Sequence, residues 1–292
     1  MTRSAFFPIW LALGAALMWG LWWLPIRALE EIGLSGMWAG SAMAAGAAPL
    51  LLISLMIRPK PARLCPGAVA GAVFTGCAIM MYSAAIADTT VLRAVLLFYL
   101  APAWAIALEC LFFGRKFRLV NGAAIGLALL GVLFIFGGEI SFADWRFGDT
   151  MALFSGLAWA CGAALVFNSP NAGLRALSLI ACGAGAVMGA LSASLFGMTL
   201  GGSGVSLQIG IGALGYGSLY VAPIILATLW SARRLSPAVL SFLLTAEIIS
   251  GVGSAAILLD EPFGLPEITG AFLIAAGATL EVFAPTQVQR RG

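Results

Sequence analysis

Ten apolar runs of about 20 residues, each long enough to cross about 30 Å of hydrocarbon, occupy most of this chain. They lie at about 6–26, 37–57, 66–87, 91–113, 119–137, 148–167, 176–200, 207–230, 237–259 and 268–284. The gaps between them are short and hold nearly all the charge, as in Arg58-Pro59-Lys60-Pro61 and Gly114-Arg115-Lys116-Phe117-Arg118. Of the 292 residues, roughly 90 remain for loops and tails, too few for a soluble domain. The composition is 62% hydrophobic and 9% charged, against about 45–50% and about 25% in a soluble domain. A soluble enzyme, a disordered chain and a nucleic-acid-binding module are therefore disfavoured. The expected fold is an all-α membrane protein whose constant partner is the lipid bilayer. The stretch Met1 to Trp23 has a basic residue before an apolar run but no small-residue cleavage site, so it is taken as the first helix rather than a signal peptide.

Lys and Arg set the orientation. If the ten runs are ten spans, 12 of the 15 basic residues fall on the side of the N-terminus and 3 (Arg27, Arg93, Arg146) on the other. The positive-inside rule then puts both termini in the cytoplasm. An odd span count would scramble this asymmetry.

The two halves of the sequence resemble each other. Leu17-Met18-Trp19-Gly20 parallels Leu157-Ala158-Trp159-Ala160, Ala94-Val95-Leu96 parallels Ala238-Val239-Leu240, and Leu130-Gly131 parallels Ala276-Gly277, in the same order and at a slowly drifting offset. Five spans per half means that the second unit, over 145–292, enters the membrane from the side opposite to the first, over 1–140. Inverted repeats around a midplane site are a recurrent construction of secondary transporters, in which alternating access follows from exchanging which gate is shut.

Particular residues also resemble a known family. Ala16-Leu17-Met18-Trp19-Gly20 is similar to the opening of the drug/metabolite transporter superfamily. Thr245-Ala246-Glu247, Leu258-Leu259-Asp260-Glu261-Pro262-Phe263 and the glycine-spaced stretch Gly270 to Gly277 resemble its EamA-type repeat. Within that superfamily the chain looks most like the YddG-type aromatic amino-acid exporters. The resemblance implies a ten-helix carrier of the bacterial inner membrane. It would export amino acids, aromatic and other neutral ones, and related metabolites through a central cavity. The sequence departs from the pattern at Gly114-Arg115-Lys116-Phe117, which has no acid, and in helix 1, which lacks the carboxylate of the proton-coupled small multidrug transporters. These departures favour facilitated export. The alternative of the same superfamily is a proton-coupled multidrug or quaternary-cation exporter.

Of the 12 acids, Glu30, Glu31, Asp88, Glu139, Asp144, Asp149, Asp260, Glu261 and Glu267 fall in loops or at interfaces, where a solvated charge is expected. Glu109 and Glu281 sit near the cytoplasmic ends of their spans. Glu247 lies near the middle of a span, where an isolated charge costs a few kcal/mol. It should face the bundle interior, where it can bind a substrate ammonium, carry a proton or bridge helices. Aromatic side chains at depth, Trp19, Tyr99, Trp104, Trp159 and Tyr220, are candidates to line a cavity or to pack helices, with Tyr82 near an outer gate. Trp22 and Trp23 are expected in an interfacial aromatic belt. Pro49, Pro102 and Pro223 interrupt apolar runs, and Pro102 and Pro223 are the candidate hinges.

No metal or cofactor site is expected. Histidine is absent, and Cys65, Cys77, Cys110, Cys161 and Cys182 are scattered without metal-ligand spacing. Gly210-x-Gly212-x-x-Gly215 satisfies a dinucleotide fingerprint but follows no strand and has no acid downstream. Gly215-Tyr216-Gly217 lacks the Thr-Val of a potassium filter. No phosphate-binding lysine loop is present, so nucleotide-driven transport is not encoded. Gly122-x-x-x-Gly126 and Gly185-x-x-x-Gly189 suggest close helix packing. Neither a nucleic-acid partner nor an obligate protein partner is indicated.

Overall fold

The computed structural model describes residues 3–34, 36–57, 64–112, 117–135, 144–167, 169, 172–198, 206–235, 240, 243–261 and 263–283. Arg58, Lys60, Arg63, Arg115, Lys116, Glu139, Ala238, Val239, Pro262, Arg290 and Arg291 lie outside the described residues, as do the side chains of Arg3, Glu109 and Glu281. Regular structure among the described residues is entirely helical. In chain order the helices are α1 (Arg3–Gly20), α2 (Trp23–Glu31), α3 (Met37–Ile57), α4 (Pro66–Asp88), α5 (Val91–Phe98), α6 (Ala101–Phe112), α7 (Leu119–Ile135), α8 (Phe147–Phe167), α9 (Leu174–Leu195), α10 (Leu207–Tyr216), α11 (Ala222–Ala232), α12 (Ala246–Leu258) and α13 (Leu265–Phe283). A wide π turn over Gly217–Val221 joins α10 to α11. Seven helical stretches are long and apolar enough to cross a membrane, and shorter apolar helices cover Leu119–Phe134, Ala246–Leu258 and Leu265–Leu280.

Three long apolar runs are broken near their middles, each just before a proline. The first breaks at Leu21–Trp22 ahead of Pro25, the second at Tyr99–Leu100 ahead of Pro102, and the third widens at Gly217–Val221 ahead of Pro223. Proline has no amide hydrogen and cannot donate to the carbonyl four residues earlier, so the ladder loosens there. Pro49, by contrast, stays inside the continuous α3 and interrupts nothing. Local capping fixes other starts: Thr90 Oγ1 accepts from Arg93 N, and Ser206 Oγ from Ile209 N.

The principal helix contacts join one half of the sequence to the other. α4 packs on α8 and α9, α11 on α1, and α10 with the π turn on α3. α5 and α6 pack on α8 as α12 packs on α1, while α3 meets α9 and α7 meets α13. The halves thus interleave instead of standing side by side, and each interface has a counterpart in which the partners' places along the two halves are exchanged. Glycine allows the tightest crossings. A Cβ on Gly46 would strike Ala213 and one on Gly217 would strike Gly46, and likewise Gly76 and Gly185 face each other backbone to backbone. Gly131 meets Gly270 and Gly277 meets Ala124 in the same reciprocal way. Gly185-x-x-x-Gly189 is a packing motif, because both glycines touch neighbouring helices. Gly122-x-x-x-Gly126 is not, since Gly126 faces open space and Gly122 meets only the ring of Phe117.

One large apolar core runs through the centre, and two small clusters flank it. Large apolar side chains such as Trp10, Leu195, Leu219, Ile249 and Phe272 point outward instead, as a hydrocarbon surrounding permits.

Candidate functional site

The breaks converge on a chain of aromatic rings. Trp19 stacks on Trp22 with centroids 5.0 Å apart and meets Trp159 edge-on at 6.0 Å. Tyr220 lies 5.9 Å from Trp22, and Phe98 lies 6.1 Å from Trp159, 5.1 Å from Tyr82 and 5.7 Å from Tyr99. The indoles are tied down by hydroxyls. Trp19 Nε1 donates to Thr228 Oγ1 at 3.0 Å, Trp22 Nε1 to Ser83 Oγ at 3.0 Å, and Trp23 Nε1 to Ser254 Oγ at 2.9 Å. Trp22 is 0% exposed and Trp23 3%, so the interfacial-belt expectation for this pair is wrong. The α1–α2 break turns both rings inward. It also shifts the backbone ladder: Trp22 N donates to Trp19 O, and Met18 O accepts from Leu21 N and from the Tyr220 hydroxyl.

Glu247 closes this chain. Its side chain is buried in the first turn of α12. The Tyr99 hydroxyl lies 3.1 Å from Glu247 Oε2 and 2.5 Å from Leu244 O, and the Tyr82 hydroxyl donates to Glu247 Oε1 at 3.5 Å. Tyr99 has one proton for two acceptors, so it cannot donate to both at once. Among the described residues no lysine or arginine pairs with Glu247. A buried carboxylate whose partners among the described residues are hydroxyls is incompletely compensated, and a ligand ammonium would complete it. Gly20 makes the approach possible: a Cβ there would collide with Glu247 O and Gly251 N. The Trp19-Gly20 pair therefore supplies a ring to the site and a smooth contact for the helix behind it.

The arrangement is contracted. A cavity beside the rings, lined by Trp19, Trp159, Thr75, Thr228 and apolar neighbours, has a volume of about 30 Å³. That admits a single water and is far below the about 300–1,000 Å³ of ligand pockets.

The helix ends on either side are closed by polar ties. On the face bearing Asp88 and Glu261, Asp149 is wholly buried and accepts from Thr89 Oγ1 (2.8 Å), Arg93 Nη1 (3.3 Å) and Arg146 N (2.9 Å). Asp88 Oδ2 accepts from Gly148 N at 2.6 Å. Glu261 accepts from Val91 N and Leu92 N at 2.8 and 3.0 Å. Solvated loop charge is therefore the wrong description for Asp149 and Glu261, and Glu30 and Glu31 belong to the last turn of α2 rather than to a loop. On the opposite face, Arg175 donates to Ser54 O and Arg233 to Ala172 O. There Cys65 Sγ lies 3.3 Å from Ser169 Oγ, a bond that holds the exposed thiol below the usual cysteine range.

Six of the candidate residues, Trp19, Tyr82, Tyr99, Trp159, Tyr220 and Glu247, thus fall in one connected group. Trp104 does not join it: it packs against the core with its indole N–H lacking a hydrogen-bond partner among the described residues. Pro102 and Pro223 each follow a break beside this group. Trp22, expected in the interfacial belt, also belongs to it, as does Phe98, which was not singled out in the sequence, nor was Pro25 beyond the first break. Their only signal was a proline or an aromatic ring close to residues already marked.

Comparison with known proteins bears on these observations. Residues 6–137 match the EamA-like transporter family of the drug/metabolite transporter superfamily. Together with helices long and apolar enough to cross a bilayer, this match supports a multi-pass membrane protein whose first half is similar to that transporter family. The motifs at 245–277 lie outside the matched stretch. No curated protein matches the chain. A solved structure titled only "Crystal structure of protein" aligns over 96% of this chain and 97% of its own length, with a TM-score of 0.61 and 17% identity. At that identity the likeness is one of fold.

Proposed function

We propose that this chain is a secondary transporter of the bacterial inner membrane that exports amino acids, aromatic and other neutral ones, and related metabolites. In this reading ten spans form two inverted five-helix units, 1–140 and 145–292, with both termini cytoplasmic. The reciprocal pairing of helices and of close-contact glycines supports the two-fold relation. The observation that carries the reading is Glu247, buried among aromatic rings, with no cationic partner among the described residues, at the point where three runs break. Discontinuous helices around a midplane polar group are a construction of carriers that open alternately to either side.

An amino acid would place its ammonium on Glu247, its side chain among Trp19, Trp159 and Phe98, and its carboxylate toward the amino end of α6, which begins at Ala101. Without an acid in the first helix, facilitated diffusion down the cytoplasmic gradient is the simplest drive. A second reading, a multidrug or quaternary-cation exporter, is favoured by the same carboxylate and rings, which suit a cation bearing no anionic group.

Counterflow of labelled amino acids in liposomes holding the purified protein tests the choice. Saturable exchange of an amino acid supports the first reading. Exchange of a quaternary cation alone supports the second, and exchange of neither overturns both. Accumulation against a gradient driven by an imposed pH difference would rule out facilitated diffusion.

A further inference from the structure

We propose that Glu261 is the latch of a gate on the acidic face and that α5 is the element it holds, an inference that rests on the transport reading. The two carboxylate oxygens accept the amides of Val91 and Leu92, in the first turn of α5, where backbone N–H groups have no intrahelical acceptor. The positive end of the helix dipole favours the carboxylate further. Asp260, at φ +52°, makes the left-handed turn beyond α12 that delivers Glu261 to this point.

The other end of the same helix is tied to the same segment. Tyr99, at the C-cap of α5, has Leu244 O and Glu247 Oε2 as the two alternative acceptors of its one hydroxyl proton. Residues 244–261 therefore grip α5 at both ends, once through the candidate site and once through Glu261. A ligand ammonium that draws Glu247 away leaves Tyr99 with Leu244 O as its one acceptor in this segment. The hold on the carboxyl end of α5 then passes from the site's carboxylate to a single backbone carbonyl, while Glu261 keeps the amino end. Occupancy of the site is thereby linked to the strength of the acidic-face closure. The matching position in the first half is Arg115, so this latch has no acidic counterpart there.

The test uses the full-length protein in lipid nanodiscs, with both faces open to a thiol reagent and labelling read by peptide mass spectrometry. Val95→Cys reports on the seam between α5 and α12, where Val95 packs over Gly251. Thr75→Cys reports on the small cavity nearer the other face. Glu261→Gln keeps one acceptor oxygen and loses the charge. Val91→Pro removes one donor at the first helical position, where proline is tolerated. Each change should speed labelling at position 95 about tenfold, because charge-assisted bonds are roughly twice as strong as neutral ones, and should slow it at position 75. Their combination should add little beyond either alone. Glu267→Gln, on an acid whose hydrogen bond among the described residues is to its own turn at Gly264 N, should change neither rate. Unchanged labelling at 95 overturns the latch, and so does faster labelling at both positions, which would mark general loosening. If the rates shift as expected but no solute is exchanged in liposomes, the latch stands and the transport reading fails.

Discussion

Trp19 donates its indole N–H to Thr228 Oγ1 across 3.0 Å, binding α1 to α11 at the floor of the ring chain. Thr228→Val keeps the shape and removes the acceptor, leaving a buried donor unsatisfied at a cost of about 1–3 kcal/mol. Thermal unfolding in detergent should show a lower apparent Tm, and Trp19→Phe in the same background should recover part of the loss.

Glu247→Gln should leave the protein folded, since the Gln oxygen accepts from one tyrosine hydroxyl and its amide N–H can donate to the oxygen of the other. It removes the charge-assisted bond to a substrate ammonium, worth about 1.5–3 kcal/mol, so the half-saturation concentration in counterflow should rise about tenfold to a hundredfold. Tyr99→Phe should have a smaller effect. Full transport by Glu247→Gln would reduce Glu247 to a packing residue.

How much of this was legible in the sequence follows from distance along the chain. Apolar runs and an acid within one of them are local signals, and Glu247 stood out for that reason. The partners of Asp149 and Glu261 come from segments remote in sequence, so both looked like ordinary loop charge. Trp22 and Trp23 were misplaced because the break at Leu21–Trp22, which turns them inward, depends on Pro25 and on the packing around it. Trp104 shows the converse: an aromatic residue at the right depth whose ring points elsewhere. Hydropathy locates a residue along the membrane normal, but only helix rotation decides what it faces.

Asp149→Ala should destabilise the acidic face by about 3 kcal/mol, because it removes the buried carboxylate that accepts from Thr89 Oγ1 and Arg146 N and offsets the charge of Arg93. Asp149→Asn, which keeps an acceptor for Thr89, should lose less. Chemical denaturation of the two variants in mixed micelles checks the order.

Gly217→Ala should cost about 1–3 kcal/mol, since the added methyl enters the backbone of Gly46. Gly126→Ala faces open space and should gain about 0.5–1 kcal/mol from helix propensity. Opposite shifts in apparent Tm would separate a crossing point from a spacer.

Replacing Ser169 with Ala removes the hydroxyl that lowers the Cys65 thiol pKa, so the thiolate fraction near neutral pH falls. Maleimide labelling of Cys65 should slow, and its pH profile should move to higher pH.

The wide turn at Gly217–Val221 fits an extra residue into the helical path. An added residue rotates everything beyond it by about 100° relative to an unbroken helix. The stretch seated on α3 and the stretch carrying Thr228 are therefore out of phase by design, and Thr228 meets Trp19 only because of that offset. Excising one residue from the turn would straighten the rod and swing Thr228 off its partner, so the spacing between Gly46's neighbour and Trp19's neighbour is a dimension this molecule cannot shorten without losing one contact or the other.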